Sequence, residues 1–215
     1  MTIYEGRQAD LKNRVNNHLK KLTGQNLDFY SGMNQADLIE LKTVLADIHN
    51  VLTFRTTIAA ANWICTFFKI DEKSKLNILE IIDRIKPNTK GFDIVIQEPF
   101  KLIAEVKCIS PVNNGSKFGS AQWNSILDDF YKLKFGKGAL LDTTQFFKFL
   151  FILDLGDRTD QAITQLIKPS KAISEKPIRA NRHEIKEHIA ILNDDQILET
   201  VKTNIVYLKK IRIDP

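Results

Sequence analysis

The chain is 215 residues long, 43 % hydrophobic and 27 % charged, a balance that supports one sizeable hydrophobic core and excludes an extensively disordered protein. With only 9 glycines and 6 prolines it is neither collagen-like nor dominated by linkers. Basic residues outnumber acidic ones 31 to 26, a net charge of +5, which permits a polyanionic partner without demanding one.

In chain order, the first seventy residues read as helical, a region expected to pack on the rest in one compact domain. The opening residues Met1-Thr2-Ile3-Tyr4-Glu5-Gly6-Arg7 have no apolar stretch after a basic start, so no secretory signal is expected. Leu11, Val15, Leu19 and Leu22 recur at helical spacing, with Gly24 placed as a C-terminal cap. A second helix is expected from an N-cap at Asn34, with Leu38, Leu41, Leu45 and Ile48 on its inner face. The run Thr56 to Phe68, thirteen residues without a charge, reads as a helix buried on most sides and is too short to span a bilayer. A further helix from about Lys73 to Ile85 must end before Pro87.

The period then changes. Phe92 to Ile96 and Leu102 to Cys108 are short, β-rich and separated by Gln97-Glu98-Pro99-Phe100-Lys101, the pattern of an antiparallel hairpin. The two cysteines, Cys65 and Cys108, sit among apolar neighbours and fit a reduced cytoplasmic protein rather than a disulfide framework. Trp123, Ile126, Leu127, Phe130 and Leu133 mark an amphipathic helix with Ser120 as its N-cap, broken by Gly136-Lys137-Gly138. Phe146 to Leu153 is almost continuously apolar, as in a strand covered on both faces, and a helix from about Asp160 to Ile167 follows. Lys168 to Arg182, with five basic residues and two prolines, reads as a basic loop, and Ile197, Val201, Ile205 and Leu208 suggest a terminal helix. His183 and His188 are five apart, so they leave a common helical face and do not form a zinc-protease pair.

The chemistry lies in the hairpin. A turn centred near Pro99 sets Asp93 opposite Glu105, carboxylates on one face, with Lys107 two residues beyond pointing the same way. Phe92, Ile94, Ile96, Leu102, Ala104, Val106 and Cys108 are left for the other, core-facing side. Two carboxylates at that separation repel unless a cation lies between them. A hard ion that keeps several waters, Mg²⁺ above all, suits two oxygens on a rigid sheet. The ordinary alternative is a hairpin whose charges face water.

Gly91-Phe92-Asp93, eleven residues, then Glu105-Val106-Lys107 resembles the signature of the PD-(D/E)XK nuclease superfamily, which includes the type II restriction endonucleases. The resemblance covers roughly residues 73 to 155 and implies an α/β fold, a mixed sheet flanked by helices, with residues 1–70 as an N-terminal helical region and 71–215 as the nuclease-like core. It implies a Mg²⁺-dependent endodeoxyribonuclease (Mn²⁺ as substitute), cytoplasmic, acting on DNA and natural as a homodimer. The catalytic residues would be Asp93, Glu105 and Lys107, with Asp93, Glu105 and the Val106 carbonyl as metal ligands. A glutamate on the preceding helix would be Glu80, or failing that Glu40. Phe92 stands where the family signature has proline, and the first strand of the core is not visible before Asp93. In the loop after the hairpin, Asn113, Asn114, Ser116, Lys117 and Gln122 are candidates for DNA contact, since amides at a helix N-terminus suit phosphates and amide side chains suit base edges. A capped connector explains the same residues. A catalytically inactive DNA-binding or complex-forming protein of the same fold is the alternative function.

Overall fold

The computed structural model describes residues 3–84, 91–112, 116–137, 142–168, 184–194, 199 and 201–213. They form a mixed α/β structure in two compact units, residues 1–49 and 50–215.

The first unit holds α1 (Ile3–Thr23), the short α2 (Phe29–Gly32) and the first half of α3 (Gln35–Phe67). Gly24, at φ +71°, ends α1 and donates its N–H to the Lys20 carbonyl, as its place in the sequence suggests. Asn16 of α1 is buried and ties down α2, donating to Asp28 Oδ1 at 2.7 Å and accepting the Tyr30 N–H at 2.8 Å. Asn34 caps α3 through the amides of Ala36 and Asp37. The two helices expected over 34–48 and 56–68 are one continuous helix, because nothing between Ile48 and Thr56 interrupts helical hydrogen bonding. The expected inner face is wrong in part: Leu38 and Leu41 are half-buried, but Leu45 and Ile48 are exposed.

In the second unit a five-stranded sheet runs in the order β1-β2-β3-β5-β4, from β1 (Ile94–Ile96), β2 (Leu102–Lys107), β3 (Phe147–Leu153), β4 (Ile189–Ile191) and β5 (Val206–Ile211). β1 and β2 are antiparallel; β2, β3, β5 and β4 are mutually parallel. One face carries Ile94, Ile96, Ala104, Phe149, Phe151 and Tyr207, covered by Ala60, Ala61 and Ile64 of α3 and by Ile78 and Ile82 of α4 (Glu72–Asp83). The other carries Ile103, Leu150, Ile152, Val206 and Leu208 under α5 (Ser120–Phe135) and α6 (Asp157–Ile167). Cover on both faces is why β3 is buried from Lys148 to Ile152, as its unbroken apolar run implies.

Several local expectations change. Phe92 joins the cluster of Ile103 and α5, not the Ile94 side, because it precedes β1 and escapes its alternation. Gly119, not Ser120, is the N-cap of α5, its N–H bonded to Gln122 Oε1 at 2.9 Å. Of the residues expected in a terminal helix, Ile197 lies outside the described residues, Val201 and Ile205 are not helical, and Val206 to Ile211 form β5, since Val206, Tyr207 and Leu208 bury both faces of an extended segment against β3. The strand β4 has no expected counterpart. The segment 85–90, where a first strand would precede Asp93, lies outside the described residues, as does most of the basic loop, 169–183.

Lys148 of β3 is 1 % exposed and donates to the carbonyls of Phe146 at 2.8 Å and Thr203 at 2.6 Å, joining the approach to β3 to the approach to β5. Burial, reinforced by the neighbouring Lys134, lowers its pKa to about 8. Between that value and the ordinary 10.5 the unfolded chain binds more protons, so stability rises with pH across this window. Urea unfolding at pH 7 and pH 10 should show the wild type gaining on the order of 2 kcal/mol relative to Lys148→Met.

Candidate active site

The hairpin register is the expected one: Ile94 pairs with Ala104, Val95 with Ile103 and Ile96 with Leu102. One step further along this register, beyond the last paired residues, Asp93 falls opposite Glu105. Its Oδ2 accepts the Val106 N–H at 2.7 Å, so the carboxylate is tied to the backbone of the strand that carries Glu105. Alternation along β2 turns Ile103, Glu105 and Lys107 toward α5, while Ala104 and Val106 enter the opposite core.

Glu105 is 6 % exposed. Lys137 Nζ approaches its Oε1 at 2.5 Å, also touches the Gly91 carbonyl, and lies 4.6 Å from the centre of the Phe92 ring. Lys107 Nζ meets Ser125 Oγ at 3.1 Å and pairs with Asp129, both on α5. Asp129, 4 % exposed, also receives Lys132 at 2.8 Å on its other oxygen. Three carboxylates and three ammonium groups thus surround the start of β1 and the end of β2.

The charges are not evenly satisfied. Glu105 Oε1 and Asp129 Oδ2 are buried and receive no well-directed hydrogen bond; the lysines beside them neutralise charge without bonding along the lone pairs. Burial, then the charges of Asp93 and Asp129, push the Glu105 pKa up to about 8, with Lys137 opposing the rise. The same cluster acts on Lys132: burial is the largest single effect and disfavours its charge, but the Asp129 hydrogen bond and the charges of Asp129, Glu105 and Asp128 together outweigh it and raise its pKa.

Among the described residues no three His, Cys, Asp or Glu side chains converge to hold an ion unaided. Asp93, Glu105 and the Val106 carbonyl are the donors available for a cation that keeps its own waters, and a buried carboxylate oxygen without a directed donor fits such an ion.

Other expected site residues stand apart. Glu80 is exposed on α4 and pairs with Arg84 one turn on. It does not join the cluster, because α4 packs on the sheet face opposite Glu105. Glu40 is an exposed residue of α3 in the first unit. Gln122 is consumed by structure: its Oε1 caps α5 and its Nε2 donates to the Ser110 carbonyl at 3.0 Å. Ser116 and Lys117 are exposed, and the Lys117 carbonyl accepts the Val112 N–H. Asn113 and Asn114 lie outside the described residues.

Asp129 and Lys137 were not legible as site residues. Asp129 did carry a signal, a carboxylate at the i+3 position of the stripe Ile126, Phe130, Leu133, where a core residue belongs. Lys137 carried none, since it lies past the Gly136 end of α5.

In the unfolded chain Glu105 titrates near 4.5; in the folded protein near 8. Across that window the folded state binds more protons, so the contribution of Glu105 to stability is present below pH 4.5 and is lost as pH rises through 8. Thermal melts from pH 5 to 9 should fall more steeply for the wild type than for Glu105→Gln, whose Tm at pH 9 should exceed the wild type's by roughly 2–8 °C.

No protein-family model, curated protein or solved structure matches the chain.

Proposed function

We propose that the protein is a divalent-metal-dependent endodeoxyribonuclease. The observation that carries the reading is the buried Glu105 carboxylate, in register with Asp93 across a two-strand antiparallel pair, with Lys107 on the same face. The helix between β2 and its parallel neighbour β3 closes the cluster from above, so Glu105 and Lys107 come from a rigid strand, and Asp93, one residue before β1, is tied to that strand through the Val106 amide. The sequence resemblance to the PD-(D/E)XK nucleases supports the same assignment.

Asp93, Glu105 and the Val106 carbonyl would hold the ion. Mg²⁺ bound there supplies Lewis-acid polarisation and neutralises charge on the phosphoryl group. Lys137 then has to leave Glu105, and its ammonium is freed to meet a phosphate oxygen. Lys107, fixed by Ser125 and Asp129, holds a water in line with phosphorus or stabilises the charge that develops on the phosphoryl oxygens. Asp129 holds that ammonium in place. DNA is the proposed partner and the cytoplasm the proposed location; among the described residues no helix is long and apolar enough to cross a membrane. A homodimeric type II restriction endonuclease is the narrower proposal, resting on the resemblance.

The Lys137–Glu105 pair favours a second reading. A lysine that stays on Glu105 takes the place of the metal, and the fold then serves as a DNA-binding or complex-forming component without cleavage.

Supercoiled plasmid with Mg²⁺ or Mn²⁺, against an EDTA control, separates the two. Nicking or linearisation is expected in the metal lanes alone. Glu105→Gln should abolish it while the protein stays folded, and Lys107→Ala should slow it on the order of 10²–10⁴-fold. Equal cutting by Glu105→Gln places the chemistry elsewhere; no cutting by the wild type in either metal favours the second reading.

A further inference from the structure

Asp93, at the start of β1, and Lys107, at the end of β2, lie at one edge of the sheet, the edge where β3, β5 and β4 also end. Ligands of open α/β sheets gather at the carboxyl ends of parallel strands. In this protein that edge carries a groove of about 940 Å³, in the second unit, running over the ends of β3, β5 and β4 between α3 and α6. The groove takes no part in the cluster around Glu105.

Four cationic and three acidic side chains line it, with the aromatic rings of Phe54 and Trp63. Lys209 is 5 % exposed, stands 5.3 Å from the centre of the Trp63 ring and pairs with Asp194, whose carboxylate is 94 % exposed at the rim. A buried ammonium held by a carboxylate that water fully surrounds is a site where an arriving anion can replace the carboxylate without leaving the lysine uncompensated. Arg212, just past β5, has its side chain 77 % exposed and is anchored at 3.0 Å to Asp154, whose side chain is 6 % exposed. Phe54 is 42 % exposed, a large ring with a free apolar face inside a charged groove. Cations along a narrow groove with an exposed aromatic ring make up the equipment for one nucleic-acid strand, its phosphates on the cations and a base on the ring. The volume is that of a ligand pocket rather than of a duplex channel.

Register links the groove to the reaction centre. Lys107 pairs with Ile152, and Ile152 with Lys210 of the groove. Two strand spacings separate Lys107 from Lys210, roughly 10 Å, or about three nucleotides of rise along one strand. We infer that the groove holds an unpaired strand of the substrate, running out from the cleavage centre, so that the substrate is DNA with a single-stranded segment beside the cut. The inference rests on the nuclease reading. It narrows that reading away from a fully paired duplex, and so away from a type II restriction endonuclease.

The test compares a fluorescein-labelled duplex bearing a short single-stranded overhang with a blunt duplex of the same paired length, both titrated with the full chain in EDTA. The overhang should bind more tightly. Phe54→Ala should cost the overhang at least about fivefold in affinity, the low end of a base–aromatic stack, and leave the blunt duplex unchanged. Arg212→Gln should lower the salt slope by about 0.7 for a lost single-strand contact. Asp194→Asn should tighten overhang binding, a gain that misfolding does not produce. In Trp123→Phe, where Trp63 is the remaining tryptophan, emission should change in step with overhang binding. Equal affinity for the two DNAs, or Trp63 emission unmoved at saturation, overturns the groove assignment. A groove that passes these tests in a protein that never cuts DNA in Mg²⁺ or Mn²⁺ upholds strand binding and overturns the substrate role. Cleavage of blunt duplex with no preference for the overhang keeps the nuclease and overturns the groove.

Discussion

The second unit is organised around a carboxylate that the fold has taken out of water. Glu105 occupies the strand next to the centre of a sheet covered on both faces, where a charge is costly unless it is matched at close range. Everything adjacent answers that cost. Asp93 is pinned to the Val106 amide, Lys137 is drawn back over Phe92, and Asp129 enters the core stripe of α5 carrying Lys107 and Lys132 with it. A sheet built only for stability would place a valine or isoleucine at this position. Lys137 offsets part of the cost at Glu105, while Lys107 and Lys132 meet the charge of Asp129, and Glu105 Oε1 is still left without a directed hydrogen bond.

That arrangement sets stability against chemistry. A buried acid with a pKa near 8 weakens the fold as it ionises, yet once ionised its carboxylate would attract a cation strongly. Lys107 and Lys137 are not equivalent. Lys107 is held by a carboxylate and a hydroxyl from the crossover helix, and so has a fixed position. Lys137 follows the glycine that ends α5 and is held by one carbonyl, one ring face and Glu105 itself, so it can be exchanged for another cation.

Topology explains why two sites of different character share one edge of the sheet. Parallel strands bring all their carboxyl ends to the same side, and β1, being antiparallel, brings its amino end there. Loops and helix ends therefore collect charge along that edge, with the Glu105 cluster over β1 and β2 and a charged, aromatic-lined groove over β3, β5 and β4. The opposite edge, by contrast, holds Lys148 between two carbonyls, where a buried amine joins two approaches to the sheet.

The sequence by itself determined what local periodicity encodes. The alternation of residues 94–96 and 102–107 and the turn at Pro99 set the pairing of β1 with β2, and so the juxtaposition of Asp93, Glu105 and Lys107 follows from chain connectivity. The apolar stripe of α5 and the unbroken run of β3 were equally plain, because burial on one face or on two leaves a distinct pattern. Tertiary structure alone decided the rest. Val206 to Ile211 fits either period on paper and became a strand because β3 offered it a parallel edge. Glu80 has the composition of a site residue but rides a helix on the wrong face, whereas Asp129 looked like a flaw in a core stripe until the stripe was laid over Glu105. Lys209 is distant along the chain from Phe54 and Trp63 of α3 and shares no motif with them. They form a groove because strand order and helix packing bring them to one place, and no spacing in a one-dimensional sequence records that.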